Sequence, residues 1–595
     1  MDAAAAVGGE AFINYAVEIA EFLNSLLPGG PLAKARIDFI VSHLISLLPP
    51  PSVPAPDDDG SSDSDDDHFS LSSSSSSDDA GVDLPAVVMA PPVDGLDHIG
   101  RLPDDLLSNI ISRLPTNEAA RTMVLSTRWR LVWAATPLLV DDAHLKATNE
   151  SREMSALCAV RAVSRCVAAH PGPVRAVRIT RTSFDEQEYA LQRLVASLAA
   201  KNVQDLILFN RPVPFAMPLP GDILSCASLT RLYVGIWRWP FPDTAAHPPA
   251  FPNLHELGLF HTIIEDKEVD ALLAQCPKLN ILSYAMACNF PSHLRVKSCS
   301  LRVVVEWRCS FDDVVIDDAP CLERLLFDST GDLPIKIVHA PRLEVLGFLD
   351  LQFHTLEIGG IAITAGMNVR PCAMLPSVKI LAVKVRFWND AEAKMLPTLL
   401  RCFPRLEKLH IMSIWSKSPD VGDDMDFWES LTSCSCLESH LKTFVVHRFQ
   451  GWKHEAAFIR YIFKNCKVLE SHGIVYGDSD DVVVKGSDGS SSSDDVVVEE
   501  GPMSGSVGEG NTPSGGSSAS DVGEVEKRPM SGTVGEGNAP SGGSSGKYVF
   551  AHPAFPCWSF QKAIDLSVED PFYVLGPVIA LINVVDSSVD DETAC

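Results

Sequence analysis

One short apolar pattern returns every 20 to 30 residues through the middle of this 595-residue chain, and it constrains the fold more than any other feature. It reads VQDLILF from Val203, LTRLYV from Leu229, LHELGL from Leu254, LNILSY from Leu279, LERLLF from Leu322, LEVLGF from Leu343, VKILAV from Val378 and LEKLHI from Leu406. Start-to-start steps include 26, 25, 25, 21 and 28 residues. A unit of that length supplies one strand and one return segment, and it cannot bury its apolar face alone. Stacked units share a continuous core, so the pattern predicts an α/β solenoid. Cys or Pro often stands just before the first Leu, as in Cys276-Pro277-Lys278-Leu279 and Phe403-Pro404-Arg405-Leu406, which suits a turn feeding a strand. The segment at Leu301 is degenerate, and the 35-residue step after Leu343 implies an insertion or a missed coil.

Strand alternation assigns the side chains. In LxxLxL the leucines face the core, so the third and fifth positions, and the one after the motif, line the opposite, open face. Arg231, Tyr233, Glu256, Phe260, Arg324, Asp328, Lys408 and His410 are the candidate target contacts there. Most strand residues of this kind serve only as solvated side chains.

A different signal stands upstream. LPDDLLSNIISRL from Leu102 to Leu114 opens with a proline suited to a first helical turn and two acids that favour a helix N-terminus. Leu106, Leu107, Ile110, Ile111 and Leu114 then recur at helical spacing. After Pro115, Thr116 is placed to cap a second helix, and STRWRLVW from Ser126 to Trp133 forms a third with two tryptophans four residues apart. Three helices in so short a stretch cannot cover all these apolar faces among themselves, so a partner surface is expected.

LPDDLLSNIISRLP followed by ARTMVLSTRWRLVW resembles an F-box, the helical module that binds the Skp-type adaptor of cullin-based ubiquitin ligases. The resemblance covers residues 97 to 136. It implies that Leu102, Pro103, Leu106, Leu107, Ile110, Leu114, Leu125 and Trp129 form or support the adaptor-facing surface. The repeats, from 170 to 412, are similar to the leucine-rich repeats of plant F-box proteins. LPSVKILAVKVRFWNDAEAKMLPTLLRCFPRLEKLHI from Leu375, and the stretch from 427 to 472, resemble the FBD region that ends many such proteins. That second stretch reads as a strand at Leu441 to Val446, a turn at Gly451 and a helix whose apolar face includes Ala457, Ile459, Tyr461 and Phe463, a cap for the solenoid.

The remaining segments flank these domains. Residues 1 to 48 carry two runs at helical spacing, Phe12 to Leu26 and Ala33 to Leu47, around Pro28-Gly29-Gly30-Pro31, and read as a helical hairpin that docks on the body, dimerises or hangs loosely. Residues 49 to 92 are rich in Pro, Ser and Asp and are expected to be disordered, with SSDSDDD at Ser61 matching what acidophilic kinases accept. Residues 477 to 547 contain PMSGSVGEGNTPSGGSS from Pro502 repeated as PMSGTVGEGNAPSGGSS from Pro529, a Gly/Ser-rich linker. The tail, 548 to 595, regains Phe550, Phe555, Trp558 and Phe560, which could pack back on the body.

Much of the formal charge of −29 lies in these flanks and linkers. It argues against nucleic-acid binding through phosphate neutralisation, and the repeats themselves are nearly neutral. Fifteen cysteines without a CxxC pair suit a reducing compartment, and no apolar run is long enough to cross a bilayer, so a nuclear or cytoplasmic protein is expected. Gly542 to Gly546 fits GxSxG but lacks the preceding apolar strand, and His454-Glu455 lacks the second histidine of HExxH. No catalytic set, cofactor site or metal site is expected. The resemblance therefore implies a non-catalytic subunit of a ubiquitin ligase that reaches a cullin scaffold through the adaptor and holds an unknown protein substrate. A non-ligase scaffold and a small-molecule sensor are the alternatives.

Overall fold

The computed structural model describes residues 34–50, 97–144, 152–184, 187–211, 217–240, 250–288, 290–328, 331–414, 425–476 and 559–572. The first run of the expected N-terminal hairpin, nearly all of the acidic linker, the duplicated linker and most of the tail lie outside the described residues.

The repeat pattern becomes one 13-stranded sheet in the order β1-β2-β3-β4-β5-β6-β8-β10-β12-β15-β16-β17-β18. Its strands are β1 (Leu138–Asp141), β2 (Val174–Ile179), β3 (Asp205–Phe209), β4 (Arg231–Gly235), β5 (Glu256–Phe260), β6 (Ile281–Ala285), β8 (Val303–Trp307), β10 (Arg324–Asp328), β12 (Val345–Asp350), β15 (Ile380–Val385), β16 (Lys408–Ser413), β17 (Thr443–Phe449) and β18 (Ser471–Tyr476). Every described pairing in it is parallel. Each repeat strand starts two residues after the first apolar residue of its motif, and the degenerate unit at Leu301 supplies β8. The sheet begins at Leu138, before the expected boundary of 170, and runs on through the FBD-like region. The latter is thus two further coils, β17 and β18 with an intervening helix, continuous with the repeats.

Return segments follow local periodicity. Helices α5 (Arg152–Ala169), α6 (Glu188–Ala200), α7 (Asp266–Ala274), α8 (Asp390–Cys402) and α11 (Lys453–Asn465) serve the early and late coils. They complete a helix set that also comprises α1 (Lys34–Leu47), α2 (Asp104–Ser112), α3 (Thr116–Arg121), α4 (Thr127–Ala135), α9 (Met425–Ser430), α10 (Ser435–Ser439) and α12 (Phe560–Ile564). In the middle coils the return is a strand instead. β7 (His293–Lys297), β9 (Asp313–Asp318), β11 (Leu333–Ile337), β13 (His354–Ile358) and β14 (Ile361–Ala362) form a second, 5-stranded sheet. HLRVK alternates exposed and buried side chains, and LPIKI buried and half-buried ones, with period two, which a helix cannot satisfy. The long step after Leu343 is an insertion that follows the return strand β13 and adds β14 and a 3-10 turn at Pro371–Ala373 before β15.

The principal core lies between the sheet and its return segments and contains the motif leucines Leu206, Leu232, Leu257, Leu282, Leu325, Leu346, Leu381 and Leu409. Parallel strands need cover on both faces. Here the inner face, away from the return segments, carries its own apolar cluster. Phe209, Tyr233, Phe260, Trp307 and Phe348 pack there with Leu44, Leu47 and Leu48 of the N-terminal segment and with Phe560, Ala563, Ile564 and Phe572 of the C-terminal one.

Candidate functional sites on the F-box and the inner face

The F-box helices share a small core of Leu107, Ile111, Ala119, Trp129 and Val132, against which Leu102, Leu114 and Trp133 are partly buried. Ser126 caps α4, its side chain accepting from the Trp129 amide at 3.4 Å. Arg128 joins the start of α2 to α4, pairing with Asp104 at 2.7 Å and donating to the Gly100 and Leu102 carbonyls. Sequence periodicity gave no sign of that tie. Thr116 does not cap α3, whose N-cap is Pro115; its hydroxyl donates to the Leu139 carbonyl and so fastens the module to β1.

Of the residues expected to form or support the adaptor-facing surface, Leu107 and Trp129 lie inside the module's own core, where they can act only as supports. Leu102 and Leu114 are half-buried against that core. Pro103, Leu106, Ile110 and Leu125 are the expected contacts that remain exposed. Leu106, on the same helix as the fully buried Leu107, is 52% exposed, and Ile110 one turn on is 41% exposed. Ile99, Val124 and Leu131 are exposed as well and were not singled out by motif. Among the described residues, most of the large hydrophobic side chains left exposed fall between Ile99 and Leu131, in a module of about forty residues.

The eight candidate target contacts lie on the inner side of the sheet, as strand alternation implies. The face is not open, however. Tyr233, Phe260, Arg324 and His410 are buried, which corrects their reading as exposed contacts. The reason is cover from both ends of the chain, which alternation within the repeats cannot reveal.

At the early coils the cover is the N-terminal segment. Arg178 donates to the Pro49 carbonyl at 3.0 Å, Arg211 to the Ser42 hydroxyl at 3.1 Å and Arg231 to the Pro50 carbonyl at 2.9 Å. Arg231 is also paired with Asp205 and lies 3.9 Å from Glu256, while the Tyr233 hydroxyl donates to Glu256 at 3.0 Å. Burial raises the Glu256 carboxyl above its ordinary range against the opposing pull of Arg231. Asp328 is likewise engaged, accepting from Lys384 at 2.7 Å.

Across the middle and late coils the cover is residues 559–572. The Phe560 ring sits edge-on to Phe260 at 5.5 Å and to Trp307 at 6.0 Å. Arg324 donates to the carbonyls of Lys562, Ala563 and Asp565, at 3.4, 3.3 and 2.9 Å, and to that of Val568. Its fork thus gathers the open carbonyls at the end of α12. Lys408 pairs with Glu569 at 2.9 Å, and His410 Nε2 stands 3.1 Å from Asp570. Phe572 completes the run against Phe348 at 4.9 Å. Burial opposes ionisation of Asp570, but the His410 hydrogen bond and charge and the nearby Lys408 hold its carboxyl below the usual range. His447, 3.2 Å from His410, is pushed down to about 3 by burial and by that neighbour.

Among the described residues no group of three His, Cys, Asp or Glu side chains could hold a metal ion, and no helix is long and apolar enough to cross a membrane.

Three family models match this chain. An F-box domain model covers residues 99–140, the leucine-rich repeats of the FBD-associated F-box protein At5g56370 cover 191–411, and an FBD model covers 429–474. An F-box/FBD/LRR-repeat protein of Arabidopsis thaliana is 26% identical over 426 residues, 64% of this chain and 89% of its own length. A second Arabidopsis protein of the same description is 25% identical over 395 residues, 63% of this chain and 90% of its own. F-box/LRR-repeat protein 13 of Arabidopsis thaliana is 24% identical over 438 residues, covering 66% and 93%.

Proposed function

We propose that this chain, a plant-type F-box/leucine-rich-repeat protein with a C-terminal FBD region, is the substrate-recognition subunit of an SCF-type cullin ubiquitin ligase, acting in the nucleus or cytoplasm. The F-box binds a Skp-type adaptor, the adaptor links it to the cullin, and the repeats hold a protein target. The observation that carries the reading is the two-sided apolar character of α2, where Leu107 and Ile111 fill the module's core while Leu106 and Ile110 face outward. A soluble module retains such a second face when a partner covers it.

The chain supplies no bond-making groups in this reading. Its contribution is proximity, since a target held on the same chain as the adaptor site meets the ubiquitin-charged enzyme at a raised effective concentration. A side-by-side comparison of partners captured under proteasome inhibition, using the intact chain and a Leu106→Asp/Ile110→Asp chain, tests it. The adaptor and cullin should be present only with the intact chain, and target proteins should accumulate on both. Equal recovery of adaptor and cullin on both chains would overturn the proposal.

A further inference from the structure

The inner face of the repeats is where a receptor of this architecture would hold its target, yet residues 559–572 already lie on it. They are arranged as a ligand is arranged. An aromatic anchor, Phe560, enters between Phe260 and Trp307. One turn of helix then presents bare carbonyls to Arg324. Two consecutive acids, Glu569 and Asp570, meet the cationic or donor groups of Lys408 and His410, and a second aromatic, Phe572, closes the run beside Phe348. The sheet contributes Arg324, Lys408 and His410 from β10 and β16, and the segment supplies the complementary groups. Its fourteen residues are joined to the last strand, β18, through residues 477–558, of which 477–547 make up the Gly/Ser-rich duplicated stretch.

We infer that the inner face between β5 and β16 is a peptide-binding site for an acidic-aromatic segment, that residues 559–572 occupy it in cis as a stand-in, and that a target gains the site by displacing them. The site recognises a short helical turn opened by an aromatic residue and followed by an acidic pair and a second aromatic. Only the identification of the displacing partner as a ubiquitination target rests on the receptor reading. The site and its occupant stand independently of it.

The chemistry of the contacts suits exchange. The apolar cluster on this face cannot be left bare, because exposed aromatic surface of that extent favours aggregation. A resident segment solves that problem while no target is present. Tethering sets the threshold for displacement, since a resident segment joined to its site within one chain has an effective concentration on the order of 1 mM. A free peptide of Kd about 10 µM for the bare site then binds the tethered chain about 100-fold more weakly than the untethered one.

The test uses the full chain with a protease site inserted near residue 520. After cleavage, the C-terminal fragment should stay bound and be displaced by a synthetic peptide of residues 559–572. Removal of the fragment should then raise the apparent affinity for that labelled peptide by about two orders of magnitude. Lys408→Glu should weaken peptide binding at least several-fold, and a peptide carrying Glu569→Lys should recover affinity for that variant, which a merely structural role for Lys408 would not produce. Selection of a random peptide library on the cleaved, fragment-free chain should enrich aromatic sequences with a following acidic pair. Enrichment of peptides insensitive to Lys408→Glu, or of none, would overturn the exchange site and leave residues 559–572 as a fixed strap. So would failure of the synthetic peptide to bind. None of these readouts involves the adaptor, so they fail or succeed separately from the ligase reading.

Discussion

The imidazole of His410 and the carboxylate of Asp570 lie 3.1 Å apart across 160 residues of sequence. An ionised carboxylate only accepts, so His410 Nε2 is the donor, and the pair pins the C-terminal segment to β16. Asp570→Lys places a cation against His410 and Lys408 and should release the segment. Hydrogen exchange of residues 559–572 is the measurement, with protection expected to fall at least tenfold while the protection of β15 and β16 is kept. Unchanged protection of the segment would show that the pair does not hold it.

Acid should weaken the fold through histidine before it does so through carboxylates. Burial drives the His447 pKa down to about 3 and that of His354 down to about 4, so the folded chain refuses protons that the unfolded chain takes up below about 6.5. Their contribution is complete above about pH 6.5 and is lost as pH falls from there toward 3–4. Asp570, held below the ordinary carboxylate value of 3.8, contributes above that value and loses its contribution as pH falls through the depressed one. Denaturant midpoints measured at pH 7.5, 6 and 5 should decline across the series, and His447→Gln should flatten the decline. A level series would contradict the buried neutral histidines.

The two faces of α2 should separate folding from binding. Leu107→Ala empties the F-box core and should destabilise the module by about 2–5 kcal/mol. Leu106→Ala removes a side chain already half in water and should leave stability within about 0.5 kcal/mol while weakening adaptor binding by about 1–2 kcal/mol. Thermal melts and adaptor titrations on both variants decide the matter, and equal loss of stability in the two would place Leu106 in the core.

A buried charge network braces the coil that carries the insertion. Arg386 donates to both oxygens of Asp350, at 2.7 and 3.2 Å, and to Glu392 at 3.4 Å. Burial opposes the charge on Asp350, but Arg386 overcomes it and holds the carboxyl below its ordinary range. Asp350→Ala strands the guanidinium and should destabilise the chain by about 3–5 kcal/mol. The denaturant midpoint of the Asp350→Ala chain checks this, and a loss under about 1 kcal/mol would mean that the network relaxes around the gap.

Packing at Gly258 is a tighter test of the sheet register. A Cβ there would stand 2.2 Å from the Tyr233 ring on the neighbouring strand, so the aromatic lies over the glycine. Gly258→Val should therefore cost about 1–3 kcal/mol through overpacking, although Val favours strands. An unchanged or raised melting temperature would contradict the packing.

Legibility from sequence differed between the two sites for physical reasons. The main-sheet strands from β3 to β16 and the direction of Arg231, Arg324 and His410 follow from a local period, and so does the F-box helix pattern. Which face of α2 is the core does not, because Leu106 and Leu107 are chemically alike and only the packing of Trp129 and Val132 chooses between them. The closed inner face was hidden for a different reason. Its cover comes from Leu44 to Pro50 and Phe560 to Phe572, contacts with sequence separations in the hundreds that no repeat period encodes. The helical spacing of Ala33 to Leu47 and the aromatic content after residue 547 were the available hints.

The central claim is that the outward face of the F-box grips a Skp-type adaptor. The most direct measurement is a calorimetric titration of purified adaptor into the full chain, alongside the Leu106→Asp/Ile110→Asp chain, with a thermal melt of each. Saturable one-to-one binding to the intact chain, binding weakened by at least 100-fold in the variant, and coincident melts are expected. Equal affinity for the two chains with coincident melts would contradict the claim.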